Sequence, residues 1–207
     1  ISDPRVFTLR TVEDTLAMHD FVAGGGVKRA VVVGGGFIGL ETAENLAERG
    51  VKVTLIQRGD HVLAPLDRDM ACFLHAELIR RGVDLGLLTP FEGLSAEGEL
   101  KVLTARGAIP ADMAVIALGV TPDTALAAAA GLALGQKGSI VTDSHMRTSD
   151  PDIYAVGDAV EVRHFVTGAR ALVSLAGPAN KQGRIAADNI CGGDSEYMGP
   201  QGSSVIK

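Results

Sequence analysis

Three glycines in the spacing GxGxxG constrain the fold of this chain more than any other feature of its sequence. They are Gly34, Gly36 and Gly39. They follow a short apolar run at residues 30–33, typical of a buried parallel strand, and open a segment at 37–49 with helical character. A further apolar run at 51–56 completes a strand–helix–strand unit. The pattern predicts an α/β fold with a Rossmann-like, NAD(P)-binding parallel sheet.

Each glycine has a distinct part in this interpretation. Gly34 permits the tight turn, Gly36 lets the backbone approach a pyrophosphate, and Gly39 lets the helix pack closely against the strand. The pyrophosphate would lie on the unpaired N–H groups at the start of the helix, around Phe37 and Ile38. The alternative is a glycine turn in an α/β protein that binds no nucleotide.

The end of the second strand bears on the choice between NADH and NADPH. In this fold an acid normally stands there and binds the ribose hydroxyls of adenosine. Here the position holds Gln57, which is followed by Arg58. Gln57 does not repel a 2′-phosphate and Arg58 offers a guanidinium that binds one, so the sequence favours NADPH or mixed use. In the alternative, Gln57 hydrogen-bonds the ribose and Arg58 points to solvent.

Charge and composition exclude several other classes of protein. The chain has 19 Lys and Arg against 25 Asp and Glu, a net charge of −6, so it lacks the basic footprint of a nucleic-acid binder. No apolar run approaches the ~20 residues that a membrane span needs. The five histidines show no metal-binding spacing, and Cys72 and Cys191 read as ordinary thiols of a reducing compartment. We therefore expect a cytoplasmic protein without a nucleic-acid, membrane or metal partner.

The remaining periodicity extends the fold beyond the glycine motif. We expect helices over 12–23, 67–81, 125–130 and 174–190, antiparallel strands over 91–96 and 100–105, and further strands over 83–85, 113–118 and 153–156. The antiparallel pair would add a β-meander to the parallel sheet. Glycines 24–26 precede a strand instead of opening a helix, so we interpret them as a plain connection.

Three further segments resemble the FAD-dependent pyridine nucleotide-disulfide oxidoreductases, with coenzyme A-disulfide reductases and NADH oxidases as the nearest branch. Residues 148–159 (TSDPDIYAVGDA) are similar to the second FAD signature of that family, and residues 175–184 (LAGPANKQGR) to the helix that follows it. Residues 115–122 (VIALGVTP) resemble the stretch that connects the two nucleotide-binding domains. Together with the glycine motif, the resemblance covers nearly all 207 residues.

The resemblance implies a flavin-binding part in the second half of the chain. Gly157 and Asp158 match the end of the second FAD signature, where the carboxylate accepts hydrogen bonds from the ribityl hydroxyls. Alternatively, Asp158 caps a helix. Pro178 and Ala179 lie at the start of the helix at 174–190, whose N-terminus would face the flavin pyrimidine and stabilise negative charge there. The alternative is a plain amphipathic helix.

The resemblance also assigns residues on the nicotinamide side. Phe37 matches an aromatic that stacks over the flavin ring and moves when nicotinamide enters; alternatively it is a core aromatic at the helix start. Glu41 matches a carboxylate beside the nicotinamide that pairs with a lysine of the FAD domain; alternatively it is an acid favoured by the helix dipole. Gly119 lies in the connecting stretch and is expected to contact the cofactor.

Two parts of the family pattern are absent from this sequence: the first FAD fingerprint and the redox cysteine that follows it. Neither Cys72 nor Cys191 stands in the context of that cysteine, so we expect no catalytic residue in this chain, and an incomplete FAD site. The expected segments are the end of the first FAD segment (1–11), the NAD(P)H domain (12–120), the second half of the FAD domain (121–193) and the start of a C-terminal dimerisation domain (194–207). We interpret the chain as an internal fragment of a longer protein.

The function that the resemblance implies is that of a flavoprotein oxidoreductase. Hydride would pass from NAD(P)H to FAD and on to a small-molecule disulfide, a persulfide or oxygen. The parent protein would be a homodimer through the missing domain, and the fragment alone would be inactive. One alternative is a ferredoxin- or rubredoxin-type reductase without a redox cysteine. Another is a non-enzymatic module that senses NAD(P)H.

Overall fold

The computed structural model describes residues 3–203. These residues form two compact units, one extending to Gly119 and the other beginning at Val120. Residues 1–2 and 204–207, which belong to the first and last segments expected from the sequence, lie outside the described residues.

The first unit is a three-layer α/β unit. Its elements are β1 (Val6–Phe7), α1 (Val12–Ala23), β2 (Arg29–Val33), α2 (Phe37–Glu48), β3 (Lys52–Ile56), α3 (Arg68–Arg80), β4 (Asp84–Gly86), β5 (Phe91–Ser95), β6 (Leu100–Thr104), β7 (Gly107–Ala111) and β8 (Met113–Ile116). A five-stranded parallel sheet has the order β1-β8-β2-β3-β4, and β5-β6-β7 form an antiparallel sheet. The predicted α/β class, with its parallel sheet and β-meander, is confirmed.

Strand β2 is apolar throughout because both faces of the sheet are covered. Val32 points into the core formed with the helices, together with Leu55 of β3. Val31 and Val33 point the other way, into a core shared with the meander strands. All four side chains are at most 1% exposed. This two-sided burial fixes the parallel sheet, and with it the edge where its strands end.

The second unit is smaller. Its elements are α4 (Ala125–Ala129), a 3₁₀ turn (Gln136–Gly138), β9 (Ile140–Val141), β10 (Val160–Arg163), β11 (Arg170–Ala171) and α5 (Ala176–Ile190). Strand β10 pairs in parallel with β9 and antiparallel with β11. Its core contains Met146, Val160, Val162, Ala186 and Tyr197.

The prediction of a buried strand at 153–156 is wrong. Among the described residues the segment forms one isolated bridge, between Tyr154 and Arg147, and Ile153 and Val156 are 37% and 41% exposed. An apolar run becomes a strand only where neighbouring backbone continues the ladder of hydrogen bonds, and here the pairing stops after one bridge.

The predicted helix boundaries differ from the structure by at most two residues, and those of α1 are the same. The helix expected to start at 174 begins at Ala176, and α2 ends at Glu48 with Arg49 as its C-cap. Asp67 precedes α3 as expected, but its side chain makes no capping hydrogen bond. No helix within residues 3–203 combines the length and the apolar character needed to cross a membrane.

Candidate functional site

The carboxyl ends of three adjacent parallel strands bring the predicted cofactor residues of the first unit to one edge. The glycine loop follows β2, the Gln57–Arg58 pair follows β3, and Gly119 lies three residues beyond β8. The Gly34 amide donates to the Ile56 carbonyl at 2.9 Å, which ties the loop after β2 to the end of β3. Open α/β sheets bind their ligands at this edge.

Two of the three fingerprint glycines are required by the fold itself. Gly34 has φ +109°, and a Cβ there would collide with the carbonyl oxygen of Ala117. A Cβ on Gly39 would collide with the carbonyl oxygen of Gly34. The turn and the close approach of α2 therefore depend on the absence of side chains at these two positions.

Gly36 differs from its two neighbours in the motif. It is exposed, has φ −82°, and a Cβ built on it would meet nothing within 4 Å. The protein fold therefore does not require a glycine here. The open space above it fits a group that approaches the backbone closely, as a pyrophosphate does.

The start of α2 leaves its first amides without a side-chain cap. Gly36 is the N-cap residue and makes no side-chain hydrogen bond, and the first helical bond is the one from Leu40 N to Gly36 O, 2.9 Å long. The amides of Phe37 and Ile38 precede that bond. Uncapped N–H groups beside open space suit an anion such as the dinucleotide pyrophosphate.

The side chains of the first turn face different surroundings. Phe37 is half-buried and packs against the hydrophobic core, which agrees with the alternative interpretation of this aromatic. Ile38 is exposed, and with Glu41 it lines a groove between α1 and α2. Glu41 is exposed and forms no ion pair within the described part of the chain.

Gln57 contacts the glycine loop directly. Its Oε1 accepts a hydrogen bond from the Gly35 amide at 3.1 Å. Arg58 is exposed and makes neither a hydrogen bond nor an ion pair with any described residue. Because the Gln57 oxygen is already hydrogen-bonded, its NH₂ group is the part available to a ligand. Gln57 and Arg58 therefore offer hydrogen-bond donors at the position where an acid would offer acceptors.

A second loop supports the glycine motif, and sequence reasoning missed it. Leu63 N donates to Gly35 O at 2.7 Å, and a Cβ on Gly35 would collide with the Val62 side chain. Val62 N in turn donates to His75 Nε2 at 3.2 Å, and burial lowers the pKa of His75. The apolar Val62–Leu63 pair in a polar loop is the sequence signal from which this packing could have been predicted.

The flavin-side residues predicted from the resemblance all lie in the second unit. Gly157 has φ +87° and begins a turn, and Asp158 is exposed in that turn. The turn leads into strand β10, so Asp158 caps no helix, and that alternative is excluded. Pro178 and Ala179 are half-buried in the first turn of α5, whose N-cap has no side-chain hydrogen bond.

The described residues contain no cluster of three or more His, Cys, Asp or Glu side chains suited to a metal ion. Cys72 and Cys191 are free and exposed. The candidate site residues therefore comprise uncapped backbone N–H groups and charged side chains that have no partner among the described residues.

Comparison with known proteins identifies the family of this chain. A family model described as pyridine nucleotide-disulphide oxidoreductase matches residues 2–183, and the chain belongs to that family. The NAD(P)H coenzyme A polysulfide/persulfide reductase of Pyrococcus horikoshii is 36% identical over 204 residues, which are 98% of this chain and 46% of that protein. The predicted family resemblance is confirmed.

Solved structures agree with the fold. The structure of reduced Bacillus anthracis CoADR-RHD is 43% identical, with a TM-score of 0.94 over 98% of this chain and 37% of that one. The water-forming NADH oxidase of Lactobacillus brevis bound to NADH is 30% identical, with a TM-score of 0.91 over 100% of this chain and 46% of that one. The chain spans less than half the length of these relatives.

Proposed function

We propose that this chain binds NAD(P)H at the glycine edge of its first unit and contributes to an FAD site with its second unit. The protein that it serves would be an oxidoreductase that passes hydride from NAD(P)H to FAD. The observation that carries the proposal is the open, uncapped backbone at Gly36 and the start of α2. The two supporting findings are the family match and the relative bound to NADH.

The residues of the first unit would bind and orient the dinucleotide. The amides around Phe37 and Ile38 would donate to the pyrophosphate, and Gly36 would leave room for it. Gln57 and Arg58 would meet the adenosine ribose and, in NADPH, its 2′-phosphate. Because both side chains offer donors, we propose that NADPH binds at least as well as NADH.

The residues of the second unit would hold the flavin. Asp158 is exposed and uses none of its acceptor capacity within residues 3–203, so it suits ribityl hydroxyls, which are donors. The uncapped first turn of α5 would direct amide dipoles toward an electron-rich ring. When bound, FAD supplies the ring that takes up hydride and passes two electrons onward.

The electron acceptor would be a small disulfide, a persulfide or oxygen. The support is in the names of the relatives, which include a coenzyme A polysulfide/persulfide reductase and a water-forming NADH oxidase. The group that reacts with the acceptor would lie outside this chain, because neither Cys72 on helix α3 nor Cys191 just after helix α5 stands in the sequence context of the family's redox cysteine. The working protein is expected to be a cytoplasmic homodimer.

Calorimetric titration with NADPH and with NADH tests the first half of the proposal. We expect one site for each, with affinity for NADPH at least equal to that for NADH. Absence of binding at millimolar concentration would overturn it. The second half is tested on the protein expressed from its complete gene, by its flavin absorbance and by NADPH oxidation with coenzyme A disulfide, polysulfide or oxygen as acceptor.

A further inference from the structure

A glutamine lies fully inside the core of the second unit. Gln182, in the middle of α5, is 1% exposed, although glutamine usually lies at the surface. Its Oε1 accepts a hydrogen bond from the Gly157 amide at 2.7 Å. Buried polar atoms are normally hydrogen-bonded, and the Gly157 N–H satisfies the oxygen of this buried amide, so the bond links α5 to the turn at Gly157.

That turn carries Asp158 between two anchored points. On one side, Gly157 has φ +87° and its N–H is bound by Gln182. On the other, the Ala159 carbonyl accepts from Ile140 N of β9 at 2.8 Å. The Asp158 side chain makes no hydrogen bond or ion pair of its own with a described residue, so the backbone anchors on either side set the place from which its carboxylate projects.

We propose that Gln182 is a positioning residue for the flavin site: it holds the Gly157–Asp158 turn so that the exposed carboxylate is ready for ribityl hydroxyls. The inference rests on the proposed function of Asp158. The helix that carries Gln182 also carries Pro178 one turn earlier, so one hydrogen bond connects the two predicted flavin contacts.

The same helix provides a matched control. Asn189 is also buried, at 5% exposure, and lies seven residues further along α5. Its amide donates to the carbonyls of His145 and Ser195 at 3.0 and 2.9 Å, and its oxygen accepts from Ser195 N at 2.8 Å. None of these bonds reaches Gly157 or Asp158. Asn189 therefore supports the fold of the unit without holding the turn.

The experiment compares Gln182→Met with Asn189→Leu in the protein expressed from its complete gene. Both variants lose buried hydrogen bonds and should melt at lower temperature than the wild type. We expect Gln182→Met to raise the FAD dissociation constant about tenfold, the factor for one lost positioned hydrogen bond, and Asn189→Leu to leave it within about twofold. Equal FAD affinity in wild type and Gln182→Met, or an equal loss in both variants, would overturn the inference.

Hydrogen exchange of the apoprotein gives a readout that needs no flavin. Gln182→Met should speed exchange at the Gly157 amide and leave the amides of β10 protected; unchanged exchange at Gly157 would overturn the inference. If Gln182→Met does not accumulate, Gln182→Asn is the second variant, because its amide is one methylene shorter and we expect it to fall short of the Gly157 N–H. A wild-type protein that binds no FAD would overturn the proposed flavin function itself, whereas an insensitive Gln182 overturns only the positioning role.

Discussion

The Oε1 atom of Gln57 and the backbone N–H of Gly35 are joined by a hydrogen bond of 3.1 Å between the end of β3 and the glycine loop. Because the N–H must meet an acceptor, the orientation of the amide is set and its NH₂ group is the part left for a ligand. At neutral pH a phosphate offers mainly hydrogen-bond acceptors. The NH₂ group of Gln57 and the guanidinium of Arg58 are donors, so this pair suits a 2′-phosphate better than a carboxylate at the same position would.

The first prediction is that Arg58→Ala lowers the preference for NADPH over NADH. A charge-assisted hydrogen bond contributes roughly 1.5–3 kcal/mol, so we expect a ten- to hundredfold loss of NADPH affinity with little change for NADH. Gln57→Glu should shift the preference in the same direction by adding a negative charge. Calorimetric titration with both dinucleotides measures the ratio.

Arg106→Ala is the control for charge, because Arg106 is an exposed arginine between β6 and β7 in the same unit. It should leave the affinity ratio unchanged. A wild type that strongly prefers NADH, with a ratio unaffected by Arg58→Ala, would show that Arg58 does not read the 2′-phosphate.

The second prediction is that Gly36→Val abolishes dinucleotide binding without unfolding the protein. The position has an ordinary φ and open space for a side chain, so the melting temperature should stay close to that of the wild type. The valine would fill the space that the pyrophosphate needs, and we expect at least about a hundredfold loss of affinity, close to 3 kcal/mol.

Gly26→Val is the matched control for this substitution. Gly26 also has open space around its would-be Cβ, but it lies in the connection before β2. Full retention of NADPH binding by Gly36→Val would show that the dinucleotide does not bind at the glycine motif.

The third prediction separates the glycines by role. Gly34→Ala should destabilise the first unit, because it places a side chain at φ +109° and against the Ala117 carbonyl. Strain at such a position costs about 1–3 kcal/mol. Urea unfolding should therefore give a lower midpoint for Gly34→Ala than for Gly36→Val; the reverse order would contradict the distinction.

The glycine motif could be located from the sequence because its signals are local. The turn, the helix start and the flanking apolar runs lie within 27 residues, and their spacing predicts the sheet edge as well as the fold. The apolar run at 153–156 forms one bridge and no strand, because composition does not reveal whether neighbouring backbone continues the ladder of hydrogen bonds.

The supporting contacts of the site were not predictable in the same way. Gln57 reaches Gly35 across 22 residues of sequence, His75 reaches Val62 across 13, and Gln182 reaches Gly157 across 25. Gly157 and Gln182 each lie in a segment that resembles the family, but the sequence does not show that the two are hydrogen-bonded to each other. These contacts depend on which side chains the packing of helices and loops brings to a backbone N–H, and that packing is a property of the folded chain.

The last prediction concerns acid and the loop that supports the glycine motif. Val62 N donates to His75 Nε2, which accepts only while the imidazole is neutral, with its proton on Nδ1. Burial, followed by the charges of His61 and Arg68, lowers the pKa of His75 below 6.5, and Asp60 opposes this shift. The folded protein therefore binds fewer protons at His75 than the unfolded chain in the interval between the lowered pKa and 6.5.

With that sign, the contribution of His75 to stability is fully present above pH 6.5 and is lost as the pH falls through the lowered pKa. We expect the melting temperature of the wild type to fall as the pH is lowered from about 7 to about 5. It should fall less in His75→Gln, whose amide oxygen still accepts from Val62 N without titrating in that interval.

NADPH affinity should weaken over the same interval in the wild type, because Val62 packs against Gly35. His19→Gln is the control for losing a histidine, because this exposed imidazole of α1 contacts Asp20 and not the Val62 loop. Identical profiles for wild type and His75→Gln would show that the Val62 contact does not sense pH.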